Sequence, residues 1–147
     1  MSAFEKLGDQ ARHAIVVAAD TGRDLGLKEL DGKCLLMGSL SEDNNDACSI
    51  LAEQSIVVAD VYETVLATIT RGEMHPADVQ LPWTKDFKSA LTLAEIVRDQ
   101  QRELGSPAHI LYGLISTKGP AKDVLLGFGL TAIIVRRAIY VRSLPPF

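Results

Sequence analysis

One short phrase occurs twice in this chain, and a repeat constrains a fold more than any single motif does. Asp31 to Leu40 reads DGKCLLMGSL, and Gly105 to Ile115 reads GSPAHILYGLI. Each copy opens on a residue that can cap a helix, continues through a small or rigid residue, and carries the same L-x-G rhythm. The register holds elsewhere. Cys34 pairs with His109 (109 − 34 = 75) and Gly38 with Gly113 (113 − 38 = 75), while Leu7 pairs with Trp83 at 76 and Leu51 with Leu125 at 74. Drifts of a single residue fall in loops or helix joints, so the chain reads as a duplicated four-helix unit.

The hydrophobic spacing supplies the helices. Asp9 to Leu25 places Ala11, Ala14, Ile15, Ala18, Gly22 and Leu25 on one stripe, and Gly26 ends it. Asp31 caps the short CLLMGSL segment, which is apolar on most sides and must be buried. SEDNND is a loop whose Asn45 or Asp46 can cap ACSILAEQ, and VVADVYETVLATI carries Val57, Val61, Val65 and Ile69 at fourfold spacing. TRGEMHPADVQLP holds Gly72, Pro76 and Pro82 without any helical stripe and reads as a linker. The order then repeats. An amphipathic segment from about Thr84 to Glu103 bears Phe87, Leu91, Ala94 and Val97, followed by HILYGLI, the loop STKG, PAKDVLLGFG and TAIIVRRAIYV. No stretch alternates as a half-buried strand does. The expectation is an all-α domain over residues 1–147 with about eight helices related by a pseudo-twofold: repeat one at 4–70, a linker at 71–81, repeat two at 82–142.

Composition narrows the function classes. A net charge of −4 and a pI near 5.3 leave no basic surplus for neutralising phosphates, and an aromatic content of 5% offers few stacking platforms, so nucleic-acid binding is not expected. Two cysteines are too few for a disulfide framework, the start MSAFEKLGDQ does not read as a secretory signal, and no apolar run approaches the ~20 residues that span a bilayer. These features point to a cytoplasmic, reducing setting with no membrane contact.

Candidate chemistry is sparse. His13, His75 and His109 with Cys34 and Cys48 show neither C-x-x-C nor H-x-x-x-H spacing, and no helper residue suggests a nucleophile. They read as core Cys, core His109, surface His13 and linker His75, with no metal site and no catalytic residue. No G-x-x-x-x-G-K-[ST] occurs, and STKGPAKD reads as a helix-capping loop, so no ATP binding and no cofactor is expected. VRRAIYVR puts Arg136, Arg137 and Arg142 on the last helix: a solvated face on the plain reading, a contact for an acidic partner on the sharper one.

The repeated motifs resemble the Clp N-terminal domain, the Clp repeat domain of AAA+ unfoldases such as ClpC and ClpA. The second repeat shows PWTKDF, SPAHILYGLI and GPAKDVLLGFGL; the first shows FEKLGDQARHAIVVA, LGLKELDGKCLLMGSL and NDACSILAEQSI. The resemblance implies a tandem of four-helix repeats and a groove between the two long first helices that accepts peptide or adaptor. Phe4, Ile15, Val16, Trp83 and Lys88 match positions lining that patch, and Thr84 keeps the family's threonine. Trp83 and Phe4 read equally well as anchors for a ligand or as staples of the helix starts onto the core. The family's acidic residue of its GTEH motif is Lys33 in one repeat and Ala108 in the other, and the first threonine is Gly8. Since that glutamate holds the guanidinium of phosphorylated arginine in family members that bind it, weak or absent phosphoarginine binding is expected here. The resemblance thus implies a non-enzymatic module, monomeric in isolation, whose partners are Clp unfoldase or protease components, adaptor proteins or unfolded client segments. The other reading is a stand-alone accessory factor that regulates assembly of the protease or chaperone ring.

Overall fold

A computed structural model of the chain describes residues 6–42, 45–101 and 104–144. Eight α-helices are present there, with no strand among the described residues: α1 (Asp9–Asp24), α2 (Gly32–Ser39), α3 (Asp46–Glu53), α4 (Val58–Ala67), α5 (Lys85–Gln101), α6 (Pro107–Ser116), α7 (Pro120–Gly127) and α8 (Ala132–Ser143). No single helix among the described residues is long and apolar enough to cross a membrane.

The helix starts follow from local chemistry. Asp31 accepts the N–H of Lys33 at 3.0 Å and of Cys34 at 3.2 Å, satisfying donors that the first turn of α2 leaves free. Of the two candidate caps of α3, Asn45 takes the role, accepting from the N–H of Cys48 at 2.9 Å. His109 stands where a capping box usually has Glu: its Nδ1 accepts the N–H of Ser106 at 2.9 Å at the start of α6.

The two halves are joined by reciprocal backbone bonds. The N–H of Gly8 donates to the carbonyl of Gly105 at 2.8 Å, and the N–H of Gly105 to Lys6 at 2.8 Å. Seventy-six residues later, the N–H of Thr84 donates to Leu30 at 2.9 Å, and the N–H of Leu30 to Pro82 at 2.9 Å (84 − 8 = 76, 105 − 30 = 75). The lead-in to each long helix therefore pairs with the lead-in to the short helix of the other repeat. This is the pseudo-twofold written in hydrogen bonds.

Packing obeys the same symmetry. Each long helix packs chiefly on the short helix of its own repeat, α1 on α2 and α5 on α6, with smaller crossed contacts of α1 with α6 and α2 with α5. Leu35, Leu36 and Met37 of α2 and Ile110 and Leu111 of α6 are fully buried, so the apolar-all-round short helices lie at the centre of one continuous core. The linker residues form a strap along the end of α1. The N–H of Gly72 donates to Leu25 at 2.8 Å, that of His75 to Arg23 at 3.0 Å, and the His75 ring lies 2.8 Å from the Leu27 carbonyl. Gly26 is left-handed, at φ +69°, and a Cβ there would come within 2.3 Å of the Gly72 backbone, so the crossing requires glycine.

Candidate functional site

The lead-in to α5 assembles the candidate site. Trp83, partly buried, packs over Phe87 with ring centroids 4.6 Å apart and planes inclined at 34°, while Phe87 is fully buried. Phe87 packs against the indole, and Trp83 stays partly exposed. Thr84 accepts from the N–H of Phe87 at 3.4 Å and donates its hydroxyl to Asp86. One turn on, Lys88 is exposed on the same helix.

Asp86 does more than begin α5. Its Oδ1 accepts the N–H of Phe87 at 3.1 Å, and its Oδ2 reaches across the repeat boundary to the N–H of Gly32 at 3.0 Å, at the start of α2. The other repeat has a counterpart: Asp46, first residue of α3, accepts the N–H of Ala108 at 2.8 Å, in the first turn of α6. Each central short helix thus has a carboxylate of the protein itself at its positive end. An open cleft of about 620 Å³ beside the first of these seals is lined by Asp31, Thr84, Lys85, Asp86, Lys118 and Gly119 among others. Its two carboxylates already hold backbone donors.

The residues expected at a groove do not all meet there. Trp83, Thr84 and Lys88 cluster at the start of α5, beside the start of α2. Val16 is 53% exposed on α1. Ile15, its neighbour, is 4% exposed and belongs to the core, because it continues the stripe of Ala11, Ala14 and Ala18 that faces α2. Phe4 lies outside the described residues.

The histidines and cysteines lie apart. His109 is buried in its cap, His75 sits in the strap, and His13 faces Glu42 at 3.2 Å on the surface. Burial pushes the Cys34 thiol up to about 12, which makes it a poor nucleophile. The residues that sequence reasoning missed are Asp46 as an acceptor for α6 and Asp86 as an acceptor for α2. Acidic residues in a first turn signal a helix start, but nothing in the sequence says that the carboxylate turns toward another helix.

Comparison with known proteins gives concordant results. The family described as the Clp repeat (R) N-terminal domain matches residues 6–128. A ClpA homolog of an ATP-dependent Clp protease from Guillardia theta is 28% identical over 141 residues, covering 92% of this chain and 17% of that protein. The chloroplastic chaperone protein ClpC2 of Oryza sativa subsp. japonica is 28% identical over 143 residues, covering 94% of this chain and 15% of that protein. The chain therefore spans well under a fifth of the length of these relatives. Among solved structures, the N-terminal domain of ClpD from Arabidopsis thaliana superposes with a TM-score of 0.71 at 20% identity, covering 96% of each chain. A ClpV N-domain in complex with a VipB peptide superposes with a TM-score of 0.75 at 14% identity, covering 96% of this chain and 89% of that one. At such identities the structures establish a shared fold.

Proposed function

The chain belongs to the Clp repeat N-terminal domain family, and from that membership we propose that it is a non-catalytic recognition module, docking client or adaptor segments for a Clp-type chaperone or protease. The observation that carries the reading is Trp83. A large aromatic ring, packed against Phe87 and still partly exposed, is the type of side chain that anchors a peptide at low entropic cost. Thr84 can offer a polar contact beside it and Lys88 a charge one turn on. The ClpV N-domain of the same fold, complexed with a VipB peptide, supports peptide docking as the use of this architecture.

A non-enzymatic role is supported by how the polar groups are employed. Thr84 and Asp86 bond to each other and to the start of α5, Asp86 and Asp31 cap α2, and Asp46 caps α6. Such groups hold helix ends together; they are not poised against a common reacting atom.

The test uses Trp83 as reporter. Titrating the chain with a reduced, carboxymethylated polypeptide should shift the Trp83 emission with saturable binding. Calorimetry on Trp83→Ala should then show the affinity reduced by about tenfold or more, within the range typical of anchor residues. Binding that is indifferent to Trp83→Ala would remove the anchor. No response to unfolded polypeptide at all would reject client docking and favour an accessory factor of the protease or chaperone ring.

A further inference from the structure

The outward faces of α4 and α8 differ in a way the duplication makes legible. The two helices are equivalent at an offset of 74: buried Val61 and Val65 correspond to buried Val135 and Ile139 (135 − 61 = 74, 139 − 65 = 74). On the opposite side, Ala59, Glu63 and Ala67 of α4 correspond to Ile133, Arg137 and Val141 of α8. All six are exposed. One helix presents small, acidic, small at fourfold spacing; its counterpart presents large, basic, large.

The α8 face is the more unusual surface. Ile133, Tyr140 and Val141 are 65%, 62% and 63% exposed, on a helix whose inner side alone packs against the core. Exposed apolar residues in a line at helical spacing, flanked by Arg136 and Arg137, form a seam that water covers poorly. The α4 face carries the complement: Asp60 and Glu63 are acidic where α8 is basic, and Ala59 and Ala67 are small where α8 is large. The same pairing of repeat-one acid with repeat-two base already occurs within the molecule, where Arg142 at the end of α8 bonds Glu53 of α3.

We propose that the outer face of α8 is a self-association surface whose occupant is the outer face of α4 from a second copy of this chain. Both patterns are palindromic about their central charge, so Arg137 meets Glu63 whether the helices run parallel or antiparallel. Pairing like with like is disfavoured, because α8 on α8 opposes arginines and α4 on α4 opposes carboxylates. The contact is therefore head-to-tail: a pair of copies keeps one unused face of each kind, and assembly proceeds to a ring or an open chain according to whether the rotation closes. One short helix laid on another buries far less than the ~800 Å² per partner of a standard interface, so the association is weak and concentration-dependent.

Analytical ultracentrifugation across a concentration series, at low and at high salt, tests this. The wild-type chain should self-associate, less so at high salt. Arg137→Glu and Glu63→Arg should each weaken association by about tenfold or more, and the double reversal should restore it. Tyr140→Ser, which leaves the charge unchanged, should weaken it too. All three positions are exposed, and circular dichroism serves as the check that the variants fold. A chain that stays monomeric throughout overturns the proposal, as does a double reversal no stronger than either single change, which would assign the face to another partner. Monomers that instead pellet with phosphatidylserine vesicles, and lose that on Arg137→Glu, would make it a membrane contact and equally overturn the proposal.

Discussion

Gly113 lies so close to Ala90 that a Cβ on Gly113 would sit 2.0 Å from the Ala90 carbonyl oxygen. Gly38 stands in the same relation to Ala14, at 2.1 Å. The short helix of each repeat therefore touches the backbone of its long helix. Alanine at Gly113 gains about 1 kcal/mol of helix propensity, but the obstacle is backbone and cannot rotate away, so α5 and α6 must separate. Gly113→Ala is expected to destabilise by about 1–3 kcal/mol net, as overpacking does. Gly127→Ala, with nothing within 4 Å of the added Cβ, is the control and should be close to neutral. Urea unfolding of both variants makes the comparison.

Leu36 and Leu111 are equivalent in the two repeats and both fully buried. Truncating either to alanine leaves a cavity in the shared core and should cost about 2–5 kcal/mol. Because one hydrophobic cluster spans both repeats, each variant should still unfold in a single cooperative transition. Thermal unfolding followed at two wavelengths checks both statements, and two resolved transitions would show that the repeats fold independently.

The repeat, the helices and the burial of α2 and α6 were legible because they are written in periodicity and spacing. A segment such as HILYGLI, apolar on every side, has nowhere to go except between other helices. The groove was less legible. Ile15 and Val16 are adjacent and equally apolar, yet a step of 100° along α1 puts one in the core and the other in solvent. Which side of the stripe faces outward depends on where α2 and α6 lie, and that is a tertiary fact. The two carboxylate seals are of the same kind: Asp86 and Asp46 look like ordinary first-turn acids until the fold brings Gly32 and Ala108 to them.

Those seals can be measured. The N–H of Ala108 is at a residue only 1% exposed, so removing the Asp46 carboxylate strands a buried donor. Asp46→Ala should cost about 1–3 kcal/mol, the usual penalty for such a group, and Asp46→Asn should recover part of it by keeping an acceptor oxygen. Asp86→Ala, which releases Gly32, Phe87 and Thr84 together, should cost at least as much. Denaturant midpoints at constant m-value are the readout.

Cys34 makes stability depend on alkaline pH. Its thiol is raised by burial from 9.0 to about 12, so the unfolded chain ionises this group first. The unfolded state then binds fewer protons than the folded state, and stability falls as pH rises from 9.0 toward about 12. Below 9.0 the contribution is fully retained. Cys34→Val preserves an apolar filler and removes the titration, so the wild type should lose stability relative to this variant by up to about 1.4 kcal/mol per pH unit in that window. Thermal unfolding of the pair at increasing pH measures the difference; parallel curves would show that Cys34 does not titrate on unfolding.

Phosphoarginine tests the site most sharply. Gripping it requires a carboxylate facing the planar guanidinium and donors facing the phosphate. At the start of α2 the nearest carboxylates, Asp31 and Asp86, are occupied by the N–H groups of Lys33, Cys34 and Gly32, and Lys33 adds a like charge. At the start of α6, Ala108 has no carboxylate, and its N–H is held by Asp46, whose negative charge opposes a phosphate. Both ends of the ligand therefore meet groups that are spent or of the wrong sign. Titration with free phosphoarginine is expected to give neither a Trp83 emission change nor heat of binding, while an unfolded polypeptide gives both. Apolar contact at Trp83 does not depend on the missing carboxylates, so the two ligands should separate cleanly. Saturable micromolar binding of phosphoarginine would mean that Asp86 or Asp46 leaves its helix end to receive the ligand. In that event Asp86→Ala and Asp46→Ala would identify which seal opens.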